Sequence, residues 1–250
     1  MQKYIYYFGI PLYSWQVFLI LGALIVIVAS TIERPKDFPL SRAGIAFLGA
    51  LIAYAGTLGA KILSIALRYP GYTALHIPFK DQVEGSGYAF LGSIPAAMVV
   101  VWLFTKARTR PVSFWTVMDY GAPFIFLHQA FMRIGCFSKG CCLGIPSDLP
   151  WACAFNDELP LRHPTQVYEI GYILLTFIVM RHVYMKRPPA GVTFFGCVFI
   201  YSFFRFFNEF LRFDSPPILG VTTLSQITMV TMCIVSGIAI INILKRRNSK

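Results

Sequence analysis

Acidic side chains are scarce in this chain: 11 Asp and Glu in 250 residues, against 23 phenylalanines. Charged residues of both signs make up only 13%, while hydrophobic residues make up 56%. A soluble globular domain carries about a quarter of its residues as charges, so that class is excluded. The chain also lacks a low-complexity tail and a clear internal repeat. After Met1-Gln-Lys-Tyr-Ile-Tyr-Tyr-Phe there is no run of small residues for a signal peptidase, so the first apolar segment is expected to be retained. The inverted-repeat, broken-helix pattern of transporters is not evident.

What is present is a series of apolar runs long enough to cross a bilayer. They predict an all-α, polytopic membrane protein: one helical domain over 1–250, with seven transmembrane helices at 14–30, 43–66, 88–105, 115–137, 166–184, 191–211 and 221–244. The net charge of +11 would by itself suggest nucleic acid. Its distribution points elsewhere. Arg34, Lys36 and Arg42; Lys106, Arg108 and Arg110; Arg181, Lys186 and Arg187; and Lys245, Arg246, Arg247 and Lys250 all follow odd-numbered helices. That is the positive-inside pattern of cytoplasmic loops. With seven spans, it places the N-terminus outside and the C-terminus in the cytoplasm, and nucleic acid is not an expected partner. The outer loops then fall at about 67–87 and 138–165.

In the second span, Gly49-x-x-x-Ala53 and Gly56-x-x-x-Ala60 have the spacing that lets helices approach closely in lipid, which reads as packing. Charges at membrane depth are costly and face interior cavities. Arg205, Glu209 and Arg212 are spaced by four and seven residues and share a helical face. An Arg205–Glu209 ion pair would leave Arg212 free for a lipid headgroup. Arg133 ends the fourth span, with Asp119 near that span's other end. Arginine suits phosphate because its planar fork donates two parallel hydrogen bonds. Lys61 is a further intramembrane cation, and His128 reads as a hydrogen-bonded packing residue.

The outer region holds Arg133-Ile-Gly-Cys-Phe-Ser-Lys-Gly-Cys-Cys-Leu-Gly144 and Arg162-His-Pro-Thr-Gln-Val-Tyr-Glu169. Cys197 and Cys233 lie in apolar helices and read as small hydrophobes. For Cys136, Cys141, Cys142 and Cys153, three readings stand. An oxidising outer face permits a disulfide. A metal site is disfavoured by the lack of a paired Cys-x-x-Cys spacing, with only His163 near in sequence, and no metal or cofactor is assigned. A reactive thiolate would be favoured by Arg133, Lys139 and Arg162.

These segments resemble the bacterial prolipoprotein diacylglyceryl transferase family. Arg162–Glu169 is similar to the family's Arg-His-Pro-Ser-Gln-Leu-Tyr-Glu. Phe204-Arg-x-x-x-Glu-Phe-x-Arg212 is similar to its late Arg/Glu/Arg helix, and Asp119-Tyr-Gly-Ala-Pro123 to its Asp-x-x-Ala-Pro helix start. Arg133–Gly144 follows its Gly-Arg-x-Gly-Asn-Phe signature. The resemblance implies a multi-pass enzyme of the bacterial inner membrane. It would move a diacylglyceryl group from phosphatidylglycerol to the thiol of a lipobox cysteine in a secreted precursor. It also implies that Arg133 and Arg205 hold the phosphate, that Glu209 orients Arg205, and that Tyr13 lines the pocket, with Lys61 in place of a family arginine; Arg162 and Arg212 are further cations for the lipid.

The departures fall at the chemistry. The family's His-Gly-Gly aligns with Leu91-Gly92-Ser93, its signature asparagine with Cys136, and a following glutamate with Cys141. His163 or a thiolate would then activate the acceptor. The alternatives are a divergent relative whose Cys136, Cys141 and Cys142 perform another lipid or thiol transfer, and a non-enzymatic lipid-binding or transport protein.

Overall fold

The computed structural model describes residues 4–7, 10–85, 87–155, 160–213 and 222–248. They form eight α-helices, one 3-10 turn and one short hairpin. The helices are α1 (Ser14–Ile32), α2 (Arg42–Ala74), α3 (Phe79–Gly85), α4 (Ser93–Lys106), α5 (Phe114–Lys139), α6 (Thr165–Met185), α7 (Val192–Glu209) and α8 (Leu224–Asn248). A helix lies over each of the seven segments expected from the apolar runs. Four of them, α1, α2, α6 and α8, are long and apolar enough to cross a membrane. The expected start of the last span at 221, and Lys250 of the last basic cluster, lie outside the described residues.

Three features differ from the reading of the sequence. Strands β1 (Tyr4–Tyr7) and β2 (Ile10–Tyr13) pair antiparallel, with Tyr4 opposite Tyr13, ahead of α1. Tyr13 ends β2, and its side chain lies outside the described residues. The outer loop expected at 67–87 is partly helical, because α2 continues through Pro70 to Ala74 and α3 follows. A proline removes one backbone donor, yet near a helix end the loss is small, and Thr73 Oγ1 binds the carbonyls of Tyr69 and Pro70. Finally, α4 starts at Ser93 rather than at 88, after a 3-10 turn over Phe90–Gly92.

The chain divides into two compact units, one of Met1–Val26 with Asp119–Lys250 and the other Ile27–Met118. In the second unit, the packing of α2 against α4 explains the small residues. Gly59 and Gly92 face each other so closely that a Cβ on either would collide with the other's backbone. Ser93 Oγ donates to the Gly56 carbonyl at 3.0 Å, and the Ala89 amide donates to the Ala60 carbonyl at 3.0 Å. Small residues permit that approach, and close approach is what holds helices together where the solvent is as apolar as the side chains. Lys61 lies in this unit, 4.9 Å from the centre of the Tyr88 ring.

In the first unit, α7 packs between α6 and α8. Its start is fixed from α5: the Asp119 carboxylate accepts from the amides of Gly191 (2.6 Å) and Phe194 (2.8 Å). Free amide groups at a helix N-terminus are a natural partner for an anion. His128 Nε2 lies 3.2 Å from the Leu19 carbonyl, joining α5 to α1. The two faces of α7 are sharply different. Tyr201, Ser202, Arg205, Asn208 and Glu209 are buried, while Phe199, Phe203, Phe207 and Phe210 are exposed. This helix hides its polar groups and presents its aromatic ones, the arrangement expected in lipid.

Candidate active site

The polar face of α7 meets a polar stripe on α6. Thr165, Gln166, Glu169, Tyr172 and Thr176 recur every three or four residues along α6, and all are buried. Glu169 is the hub. Its Oε1 lies 2.9 Å from Arg133 Nε of α5 and 4.0 Å from Arg205 Nε of α7, and it accepts from the Tyr201 hydroxyl at 3.0 Å. Arg205 Nη1 donates to Glu209 Oε2, which also lies 3.8 Å from Arg212 Nε. Thr223 Oγ1 donates to the other Glu209 oxygen at 3.1 Å.

The residues thus form a chain, Arg133–Glu169–Arg205–Glu209–Arg212. Three guanidinium groups against two carboxylates leave one net positive charge. An excess cation in a largely desolvated site suits a single phosphodiester. Arg212 is therefore not the free cation expected from the sequence. The turn at the end of α7 brings it back onto Glu209.

The thiol segment follows α5. Gly140 (φ +71°) and Cys142 (φ +64°) both take left-handed backbone conformations. For a cysteine that costs on the order of 1 kcal/mol, so the surroundings must hold it. They do so from α6: Thr165 Oγ1 donates to the Cys142 carbonyl (2.7 Å) and Gln166 Nε2 to the Cys141 carbonyl (2.5 Å). The Cys141 amide donates to the Cys136 carbonyl at 3.1 Å. The result is that the sulfurs of Cys136, Cys141 and Cys142 lie within 4.8 Å of one another, each half-buried.

Arg133 also reaches this group. Its Nη1 is 3.6 Å from Cys142 Sγ and 4.0 Å from Cys136 Sγ. Hydrogen bonds from the Cys136 and Cys141 thiols, with Arg133 and Arg212 nearby, hold the Cys142 thiol well below its ordinary pKa. Those same hydrogen bonds, to Cys136 first and then Cys142, push the Cys141 thiol up. One guanidinium therefore joins the carboxylate hub to the thiol cluster. The six cysteines are free thiols in the structure, not disulfides.

Two expected residues stand apart. Arg162 is buried, donates from Nη1 to the Gly144 carbonyl at 2.9 Å, and stacks 4.5 Å from the centre of the Phe213 ring. That geometry braces the loop. His163 turns to Tyr168, with Nδ1 3.1 Å from the hydroxyl, which also accepts from Trp151 Nε1 at 2.7 Å. Lys61 belongs to the other unit. Glu169, Tyr201, Thr165 and Gln166 were not among the residues picked from the sequence as site candidates. The signal for the first, third and fourth was present: polar residues at helical spacing in an otherwise apolar segment.

A sequence model for prolipoprotein diacylglyceryl transferase matches residues 3–242. The phosphatidylglycerol–prolipoprotein diacylglyceryl transferase of Clostridium tetani (strain Massachusetts / E88) is 30% identical over 243 residues, covering 94% of each chain. That of Bordetella avium (strain 197N) is 36% identical over 160 residues, 62% of this chain and 59% of the relative. That of Cupriavidus metallidurans is 30% identical over 201 residues, covering 76% and 72%.

Proposed function

The chain belongs to the prolipoprotein diacylglyceryl transferase family, and on that premise we propose that it moves a diacylglyceryl group from phosphatidylglycerol to a cysteine thiol of a secreted prolipoprotein. It works in the bacterial inner membrane as one domain over 1–250. Seven helices (α1, α2, α4, α5, α6, α7 and α8) cross the bilayer, with the N-terminus outside and the C-terminus cytoplasmic. Four of these meet the length and apolarity of a span unaided. Of the others, α4 is short, and α5 and α7 carry the charges of the site. The basic clusters at or just beyond the C-terminal ends of α1, α4, α6 and α8 favour this orientation.

In the reaction, the acceptor sulfur attacks the glyceryl CH2 carbon bonded to the phosphate oxygen. A C–S bond forms and the C–O bond breaks. The electron pair leaves on the oxygen of glycerol phosphate, and the thiol proton passes to a base. Arg133 and Arg205 hold the phosphate and offset the charge that develops on it, with Arg212 as a third cation. Glu169 and Glu209 aim these guanidinium groups.

The observation that carries this reading is the net positive Arg–Glu chain against a thiol cluster. The test is expression in cells depleted of their own transferase, scoring lipoprotein maturation. The wild-type chain restores it, and Arg133→Ala and Arg205→Ala do not. Full activity in both variants sinks the assignment. The convergence of Cys136, Cys141 and Cys142 favours one second reading, in which a thiol of this chain carries the lipid itself. A diacylglyceryl mass adduct on the intact chain after incubation with phosphatidylglycerol would distinguish it.

A further inference from the structure

Spacing along the chain disfavoured a metal, because Cys136, Cys141 and Cys142 form no Cys-x-x-Cys knuckle. The fold reaches the same end by another route. The last turn of α5 supplies Cys136, and the left-handed turn at Gly140 and Cys142 brings two more sulfurs back towards it. All three sulfurs lie within 4.8 Å of one another. Tetrahedral zinc with bonds of about 2.3 Å requires sulfurs about 3.8 Å apart, which rotation about three half-buried Cα–Cβ bonds can supply. Among the described residues, the group comprises these three side chains and no fourth His, Cys, Asp or Glu. Soft sulfur donors select a thiophilic ion, and three protein ligands with one open position are the pattern of a catalytic rather than a structural zinc site.

We infer that Cys136, Cys141 and Cys142 hold a single thiophilic cation of the Zn2+ class, whose fourth position takes the acceptor thiol of the transfer reaction. The second half of this inference rests on the transferase reading above. Two features of the surroundings support it. The Arg133 guanidinium, at 3.6 and 4.0 Å from two of the sulfurs, offsets the charge of a trithiolate. Thr165 and Gln166 hold the carbonyls of Cys142 and Cys141 and so anchor the backbone that carries two of the sulfurs.

A thiol that binds such an ion is deprotonated outright. Its proton passes to water, its sulfur attacks the glyceryl carbon, and the C–O bond breaks as the phosphate oxygen takes the electron pair. No oxidant or reductant is needed.

The test uses the full chain in detergent under reducing conditions. After exposure to Zn2+ and desalting, one zinc per chain is expected by mass spectrometry. Co2+ in its place should give an intense thiolate charge-transfer band. Cys136→Ser, Cys141→Ser and Cys142→Ser should each lose stoichiometric binding, and Cys153→Ser should keep it. Wild-type chain without stoichiometric zinc or a charge-transfer band overturns the site, independently of any variant's folding. Adding a peptide with an acceptor cysteine should shift the cobalt band, and the serine version of that peptide should not. An unshifted band, or full transfer by metal-free chain, overturns the acceptor role while leaving the transferase reading intact. Bound zinc and a shifted band without lipid transfer would instead uphold the site and sink the transferase reading.

Discussion

The seam between α2 and α4 and the seam between α6 and α7 solve one problem in opposite ways. Both must join helices without the hydrophobic effect, since lipid is as apolar as leucine. The α2–α4 seam removes side chains: Gly59 against Gly92, with Ser93 and Ala60 beside them. The α6–α7 seam inserts charge: Glu169, Arg205 and Glu209, with Arg133 entering from α5. Small residues suffice for adhesion, so the charges need another reason. Breaking a buried ion pair costs about 3–5 kcal/mol, and replacing the whole pair with apolar residues is often neutral. A seam that keeps such pairs is organised around chemistry. In the small-residue seam Gly92 lies against the Gly59 backbone and Ser93 Oγ donates to the Gly56 carbonyl, so both serve packing.

The largest expected effect is at Arg133 and Arg205. Alanine at either should lower lipid transfer by about 10²–10³-fold, as expected when a group that stabilises developing charge is lost. A rate assay in proteoliposomes checks this, and a loss below tenfold would place the phosphate elsewhere. Next comes Glu169→Gln, which leaves two arginines facing a neutral amide. We expect a loss of about 3 kcal/mol in stability, read as a lower melting temperature, together with a fall in transfer.

The third test strikes the other seam. Gly59→Leu overpacks against Gly92 and should cost about 1–3 kcal/mol. Transfer per folded molecule should change little, and if it collapses while the melting temperature holds, the contrast between the seams fails. The smallest effect is expected for Cys153→Ser. Its thiol donates to the Trp151 carbonyl at 3.6 Å and, among the described residues, is not part of the Cys136, Cys141 and Cys142 group, so maturation of lipoproteins should proceed as in wild type.

Helix positions were legible because an apolar run of bilayer length admits few other structures. The extension of α2 past Pro70 was hidden by the usual reading of proline as a stop, and the hairpin by its short aromatic strands. At the site, Arg205 and Glu209 were legible as one face because their spacing is local to α7. Glu169 was not singled out, since its partners Arg133 and Arg205 lie 36 residues away in either direction. Arg162 looked like a ligand for phosphate, and only the fold shows its guanidinium on the Gly144 carbonyl. The thiols' convergence depends on a left-handed cysteine, a backbone state that no pattern of residue types announces.

Gly144 has a further consequence. A side chain there would strike His163, and its backbone lies opposite Arg212 in an antiparallel bridge flanked by Ile145–Leu211 and Phe213–Leu143 hydrogen bonds at 2.9 Å. The loop bearing the thiols is therefore stitched to the end of the helix bearing the arginines. If the loop yields to admit a peptide, Arg212 moves with it. Grip on the donor and entry of the acceptor are then geared together, so the two substrates should bind with affinities that do not simply add.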